Sequence, residues 1–90
     1  GLDDMNDAFN ELLALAQRVG IEVRHARLGG EGGGLAIVRG RRVLFIDLDA
    51  SAADQLERSA RALASLDDFE GLFVRPDVRA LLDAHRPRGR

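Results

Sequence analysis

Gly40-Arg41-Arg42-Val43-Leu44-Phe45-Ile46-Asp47-Leu48-Asp49-Ala50-Ser51 sets the architecture of the chain. Its centre, Val43 to Ile46, is an unbroken apolar run. Such a run without alternation marks an interior strand, covered at least in part on both faces. The predicted strand is Arg42 to Leu48. Gly40-Arg41 is a tight-turn candidate before it. Ser51 opens a helix behind it, with Asp54 in the capping-box place, where Glu or Gln is the stronger partner.

Working outward, Leu35 to Arg39 reads as a short strand. Ahead of it lies Gly29-Gly30-Glu31-Gly32-Gly33-Gly34, which holds five of the ten glycines. Ile21 to Leu28 reads as a strand as well. Ile21 and Val23 share one face while Ala26 and Leu28 have the other parity, which predicts a bulge or twist near Arg24–His25. Asp4 to Val19 has a helical period through Met5, Phe9, Leu12, Leu13, Ala16 and Val19. Acidic residues sit at its start, Arg18 at its end, and Gly20 provides the stop. On the other side, Leu56, Ala60, Leu63 and Ala64 form the stripe of the second helix, which Asp67-Asp68 ends. Gly71-Leu72-Phe73-Val74 reads as a short fourth strand. Pro76 begins a last helix with Val78, Leu81, Leu82 and His85 on its face.

The resulting expectation is an α+β domain of two layers: an antiparallel meander of three to four strands packed by helices, in the order αβββα(β)α. One domain spans residues 1–86, and 87–90 form a loose basic tail. A chain of 90 residues buries roughly 60–65% of its unfolded surface, so either packing or a partner chain must hold it.

Composition removes several chemistries. All 13 basic residues are arginine, and there is no Cys, Trp or Tyr. Thiol catalysis, disulfides, Schiff bases and lysine phosphate clamps are therefore excluded. The net charge of −2 argues against general nucleic-acid binding, which needs a basic face. Arg86, Arg88 and Arg90 could touch nucleic acid, but no aromatic residue stands beside them for stacking. No apolar run approaches the roughly 18–20 residues of a membrane span. The acidic N-terminus is unlike a signal peptide. The expected compartment is the cytoplasm, and arginine-only, Ala- and Gly-rich usage suggests a bacterial source.

Three places could carry chemistry. The glycine run could present N–H groups to a phosphate or nucleotide through Gly30, Gly32 and Gly33, with Arg39 or Arg41 holding the charge. Phosphate loops, however, lead from a strand into a helix, whereas here a strand follows. The alternatives are a flexible hairpin loop, or a place where another chain docks. Asp47 and Asp49 form an acidic pair at a strand end, and the plainer reading is that they end the strand and help cap the helix. His25 and His85 lack metal-site spacing, so no metal or other cofactor is expected.

Val43 to Ser51 resembles the first motif of haloacid-dehalogenase-like phosphatases. That resemblance implies Asp47 as nucleophile and Asp49 as acid in a phosphohydrolase. Ser51 departs from the motif, and the chain has no lysine for the phosphate charge. A second resemblance covers more of the chain. A hairpin, a strand ending in Asp and a following helix are similar to the zincin-like core of ImmA/IrrE-type metallopeptidases. The matching helix stretch is Ala60-Arg61-Ala62-Leu63-Ala64-Ser65. The metal-ligand positions hold Arg61 and Ser65, and the general-base position holds Ala62. None of the three can supply zinc chemistry. The resemblance implies a core stripped of its metal site; the alternative is an ordinary amphipathic helix.

With no complete catalytic constellation, the expected role is a non-enzymatic interaction or oligomerisation module. It would self-associate as a homodimer or bind another protein, through an apolar helix face or an unprotected strand edge. Anion binding at the glycine loop and phosphohydrolase activity at Asp47/Asp49 are the rivals.

Overall fold

The computed structural model describes residues 2–87. It is an α+β domain with the element order α1 (Leu2–Arg18), β1 (Glu22–Ala26), β2 (Gly34–Val38), β3 (Arg41–Asp47), α2 (Ala52–Ala64) and α3 (Pro76–His85). Among the described residues, no helix is long and apolar enough to cross a membrane.

Each helix ends where local chemistry ends it. Gly20 has φ +86°. Its N–H donates to the Gln17 carbonyl at 3.0 Å, and the Ile21 N–H donates to that of Ala16 at 3.1 Å. These are the paired bonds of a Schellman motif, which requires a left-handed residue at the position of Gly20. Ser51 caps α2 by accepting the Asp54 N–H at 3.1 Å. Pro76 occupies the first turn of α3.

The sheet is mixed, in the order β1-β3-β2. β3 pairs antiparallel with β2 and parallel with β1. The expected meander is therefore right only for the β2–β3 hairpin. A meander would seat β2 beside β1. Instead the connection 27–33 passes over the C-terminal end of β3 and delivers β2 to its far side, so the apolar run is the interior strand. The hairpin turn is Arg39-Gly40, one residue earlier than expected, with φ +52° and +77°. Two consecutive positive φ values define the type I′ turn that matches strand twist. The β1–β3 register runs without interruption from Glu22↔Val43 to Ala26↔Asp47. The expected bulge at Arg24–His25 is absent: β1 ends at Ala26 in unbroken register, and Leu28, the other member of the second parity set, lies beyond the strand.

The helices lie on one face of the sheet. Leu44 and Ile46, with Val23 and Leu35 beside them, pack against Leu12, Leu15, Ala16, Ala60, Leu63, Val78 and Leu82. Val43 and Phe45 point the other way. Val43 is nevertheless only 1% exposed, and the Arg24 guanidinium lies 5.6 Å from the centre of the Phe45 ring. Such a placement is attractive because the ring face carries partial negative charge.

The expected fourth strand at 71–74 does not form. Gly71 has φ +84°, which breaks the extended run. The alternation survives without a ladder: Leu72 and Val74 pack towards the core with Phe69, while Phe73 stays 76% exposed. The segment is pinned through Arg42. Its guanidinium grips Asp68 with two bonds of 2.8 Å and donates to the Val19 carbonyl at 2.9 Å. That contact holds the Asp68 carboxyl below the usual carboxylate range. At the start of α3, Arg75 binds Asp77 and reaches Asp7 of α1 at 2.9 Å. Of the expected tail, residues 88–90, with Arg88 and Arg90, lie outside the described residues.

Candidate functional site

The C-terminal end of β3 is where the sequence features converge. Asp47 is only 2% exposed. One carboxylate oxygen, Oδ1, accepts the N–H groups of Leu28 at 3.0 Å and Asp49 at 2.9 Å. The other, Oδ2, accepts those of Gly30 at 2.8 Å and Gly32 at 2.9 Å. Burial pushes the acid's pKa up, but the four N–H donors outweigh it and hold the carboxyl below its ordinary value. Among the described residues, no side-chain cation bonds this carboxylate; backbone dipoles offset its charge.

The glycine run thus carries out the anion binding its composition suggests, and the anion is the chain's own. Gly33 shows why side chains are excluded. It has φ +107°, and an added Cβ would meet the Phe45 carbonyl oxygen at 3.3 Å. At Gly32 a Cβ would stand 2.6 Å from that of Leu28. The loop carries two further ties. Asp49 accepts the Gly29 N–H and pairs with Arg27, both at 2.9 Å. Arg58, reaching from α2, donates to the Gly32 carbonyl at 2.9 Å. Gln55 closes the turn into α2 by donating to the carbonyls of Asp47 and Ala50.

The expected anion site is split by this geometry. Gly30, Gly32 and Gly33 surround the end of β3, whereas Arg39 and Arg41 lie at its start, six residue steps or roughly 20 Å away. The hairpin itself imposes that separation, because its turn must sit at the opposite end from the loop that enters β2. Arg41 instead lines an open groove of about 480 Å³ with Gly20, Ile21, Glu22, Gly40 and Arg42.

Asp47 and Asp49 are brought together, but with different surroundings. A carboxylate can attack phosphorus or hold a cation only through a free lone pair. Asp47 directs both oxygens, two bonds each, at backbone N–H groups. On α2, Arg61 is exposed and pairs with Glu57 at 2.7 Å. Ser65 is the C-cap, its hydroxyl donating to the Ala62 carbonyl at 3.2 Å. His25 lies on β1 and His85 in the last turn of α3. Among the described residues, no group of three or more His, Cys, Asp or Glu is placed to hold a metal ion.

A second feature lies on β2. The two outer strands of the sheet differ sharply. β1 carries Glu22, Arg24 and His25, and its Glu22–Arg24 pair closes at 2.7 Å. β2 is Gly34-Leu35-Ala36-Ile37-Val38, with neither charge nor proline. Ile37 is 66% exposed. At the other end of the strand lies an apolar groove of about 270 Å³, lined by Leu28, Gly33, Gly34, Leu35, Ala36 and Phe45. Sequence reasoning singled out neither Arg58, Gln55 nor Ile37. No local signal marks Ile37 as exposed, because an uncharged strand reads as interior until the strand order is known. No family model, no curated protein and no solved structure matches the chain.

Proposed function

We propose that the domain is a non-enzymatic interaction module that binds by adding a strand to the free edge of β2. One observation carries this reading: β2 is an outer strand without charge or proline, with Ile37 66% exposed. Outer strands normally carry charge, proline or a bulge to prevent pairing with other chains. β1 follows that rule and β2 departs from it. Strand addition draws affinity from main-chain hydrogen bonds and specificity from alternate side chains. The groove beside Leu35 and Phe45 offers a place for such side chains.

The rival readings have less support. The N–H groups of Gly30 and Gly32 that a phosphate would need point at Asp47. The same bonds occupy the Asp47 oxygens that a phosphohydrolase would use. Arg61, Ala62 and Ser65 offer neither zinc ligand nor general base, so a zincin-like core built on them would bind rather than cut. The module is read as a cytoplasmic one.

The test is amide hydrogen exchange with and without a generic strand, a soluble alternating Val-Thr peptide with charged ends. Slowed exchange confined to β2 is the expected result. Protection elsewhere, or none at millimolar peptide, overturns the reading.

A further inference from the structure

We infer that the strand which best fits the β2 edge is β2 of a second copy of this chain, antiparallel about a two-fold axis at Ala36. This rests on the strand-addition reading and names its partner. The antiparallel register places Ala36 opposite Ala36, Leu35 opposite Ile37, and Gly34 opposite Val38. Opposed residues in a sheet share a face. Leu35 and Ile37 both belong to the face of Leu44, because they pair with Leu44 and Arg42 of β3. The exposed Ile37 of each copy therefore meets an apolar partner on the correct side, and the strand brings no like charges together.

The strand ends supply the complementarity that selects this arrangement. Glu31 lies before β2, and Arg39 and Arg41 lie after it. None of the three has an ion-pair partner in its own chain among the described residues. Antiparallel pairing sets the acidic end of one copy against the basic end of the other, twice over. Parallel pairing would set Arg39 against Arg39 and Glu31 against Glu31. The antiparallel contact is also isologous, so it closes at two copies and leaves a six-stranded sheet in the order β1-β3-β2-β2-β3-β1. Its outer strands are then the charged β1 strands, the protected ones. A five-residue edge lies at the small end of specific interfaces, so the dimer is expected to be weak and reversible.

Sedimentation velocity over chain concentrations up to about 1 mM, the weak end of the affinity scale, reads the assembly directly. Wild type should shift from monomer to dimer. Ile37→Lys should remain a monomer throughout while melting at the wild-type temperature, since the side chain it replaces is mostly solvent-exposed. Glu31→Arg alone, and Arg39→Glu/Arg41→Glu alone, should each weaken the dimer at least several-fold. An equimolar mixture of those two charge variants should restore it, because each like-charge clash becomes an attraction in the mixed pair. A wild type that stays monomeric at 1 mM overturns the inference; if the Val-Thr peptide still protects β2, the strand-addition reading survives alone. A dimer that persists in Ile37→Lys or ignores the charge swap places the contact elsewhere and also overturns it.

Discussion

Replacing Asp47 by asparagine tests the account of the glycine loop most directly. The substitution keeps size and one carbonyl oxygen but turns an NH₂ donor towards two N–H groups that had an acceptor. Whichever way the amide faces, one pair is orphaned: Leu28 and Asp49, or Gly30 and Gly32. In a domain of this size, one partly buried orphaned N–H at the low end of its cost lowers Tm by roughly 4–8 °C. Two should lower it by roughly 8–16 °C. Thermal unfolding followed by circular dichroism at pH 7 measures the loss, and amide exchange at Gly30 and Gly32 should speed up with it. Asp49→Asn should cost less, since its carboxylate is a third exposed and its partner Arg27 is 74% exposed. Stability also depends on pH through this carboxylate. The folded pKa of Asp47 lies below the unfolded value of about 4. Its contribution is therefore complete above that value and is lost as pH falls through the folded pKa. Asp47→Asn should flatten this acid limb, although Asp68 and Asp77, also lowered by their arginine partners, leave part of it in place. An Asp47→Asn protein with wild-type Tm and unchanged exchange at Gly30 and Gly32 would refute the claim that this carboxylate holds the loop.

Three further outcomes are expected. Arg39→Asn should raise stability by roughly 0.5–1 kcal/mol in denaturant unfolding, because asparagine tolerates the left-handed conformation that Arg39 occupies at φ +52°; no gain would mean the turn is unstrained. Arg42→Ala should lower Tm much more than Arg61→Ala, since Arg42 joins Asp68 and the Val19 carbonyl while Arg61 makes one exposed i,i+4 pair; equal effects would contradict that ranking. Millimolar phosphate or nucleoside diphosphate should leave Tm unchanged and Asp47→Asn should abolish no phosphate-ester turnover, because the loop donors are already engaged; a ligand-dependent rise of several degrees would revive the anion-site reading.

Much of the local structure was legible from residues close together in the chain. Gly20 stops α1, Ser51 caps α2, and Pro76 opens α3 through contacts spanning only a few residues. The same holds for the interior position of β3, since an unbroken apolar run needs cover on both faces. The residues 71–74 misled because alternation alone marks which side chains point inwards; it says nothing of whether a neighbouring strand is there to complete a ladder.

Local patterns along the chain set the α+β class, the helix ends and the central strand, and composition removed thiol and lysine chemistry. Tertiary structure decided the strand order, the split between the glycine loop and Arg39/Arg41, and the task of Asp47. The difference is one of range. Caps and periodicity act within a turn or two of chain, whereas the bonds that join Gly30 and Gly32 to Asp47 cross separations of 17 and 15 residues. A strand-end aspartate reads identically whether its oxygens face solvent, a substrate or a backbone loop. Only the path of residues 27–33 over the end of β3, with the Asp49 N–H, fills both oxygens from within, and the same path leaves β2 as the uncharged outer strand.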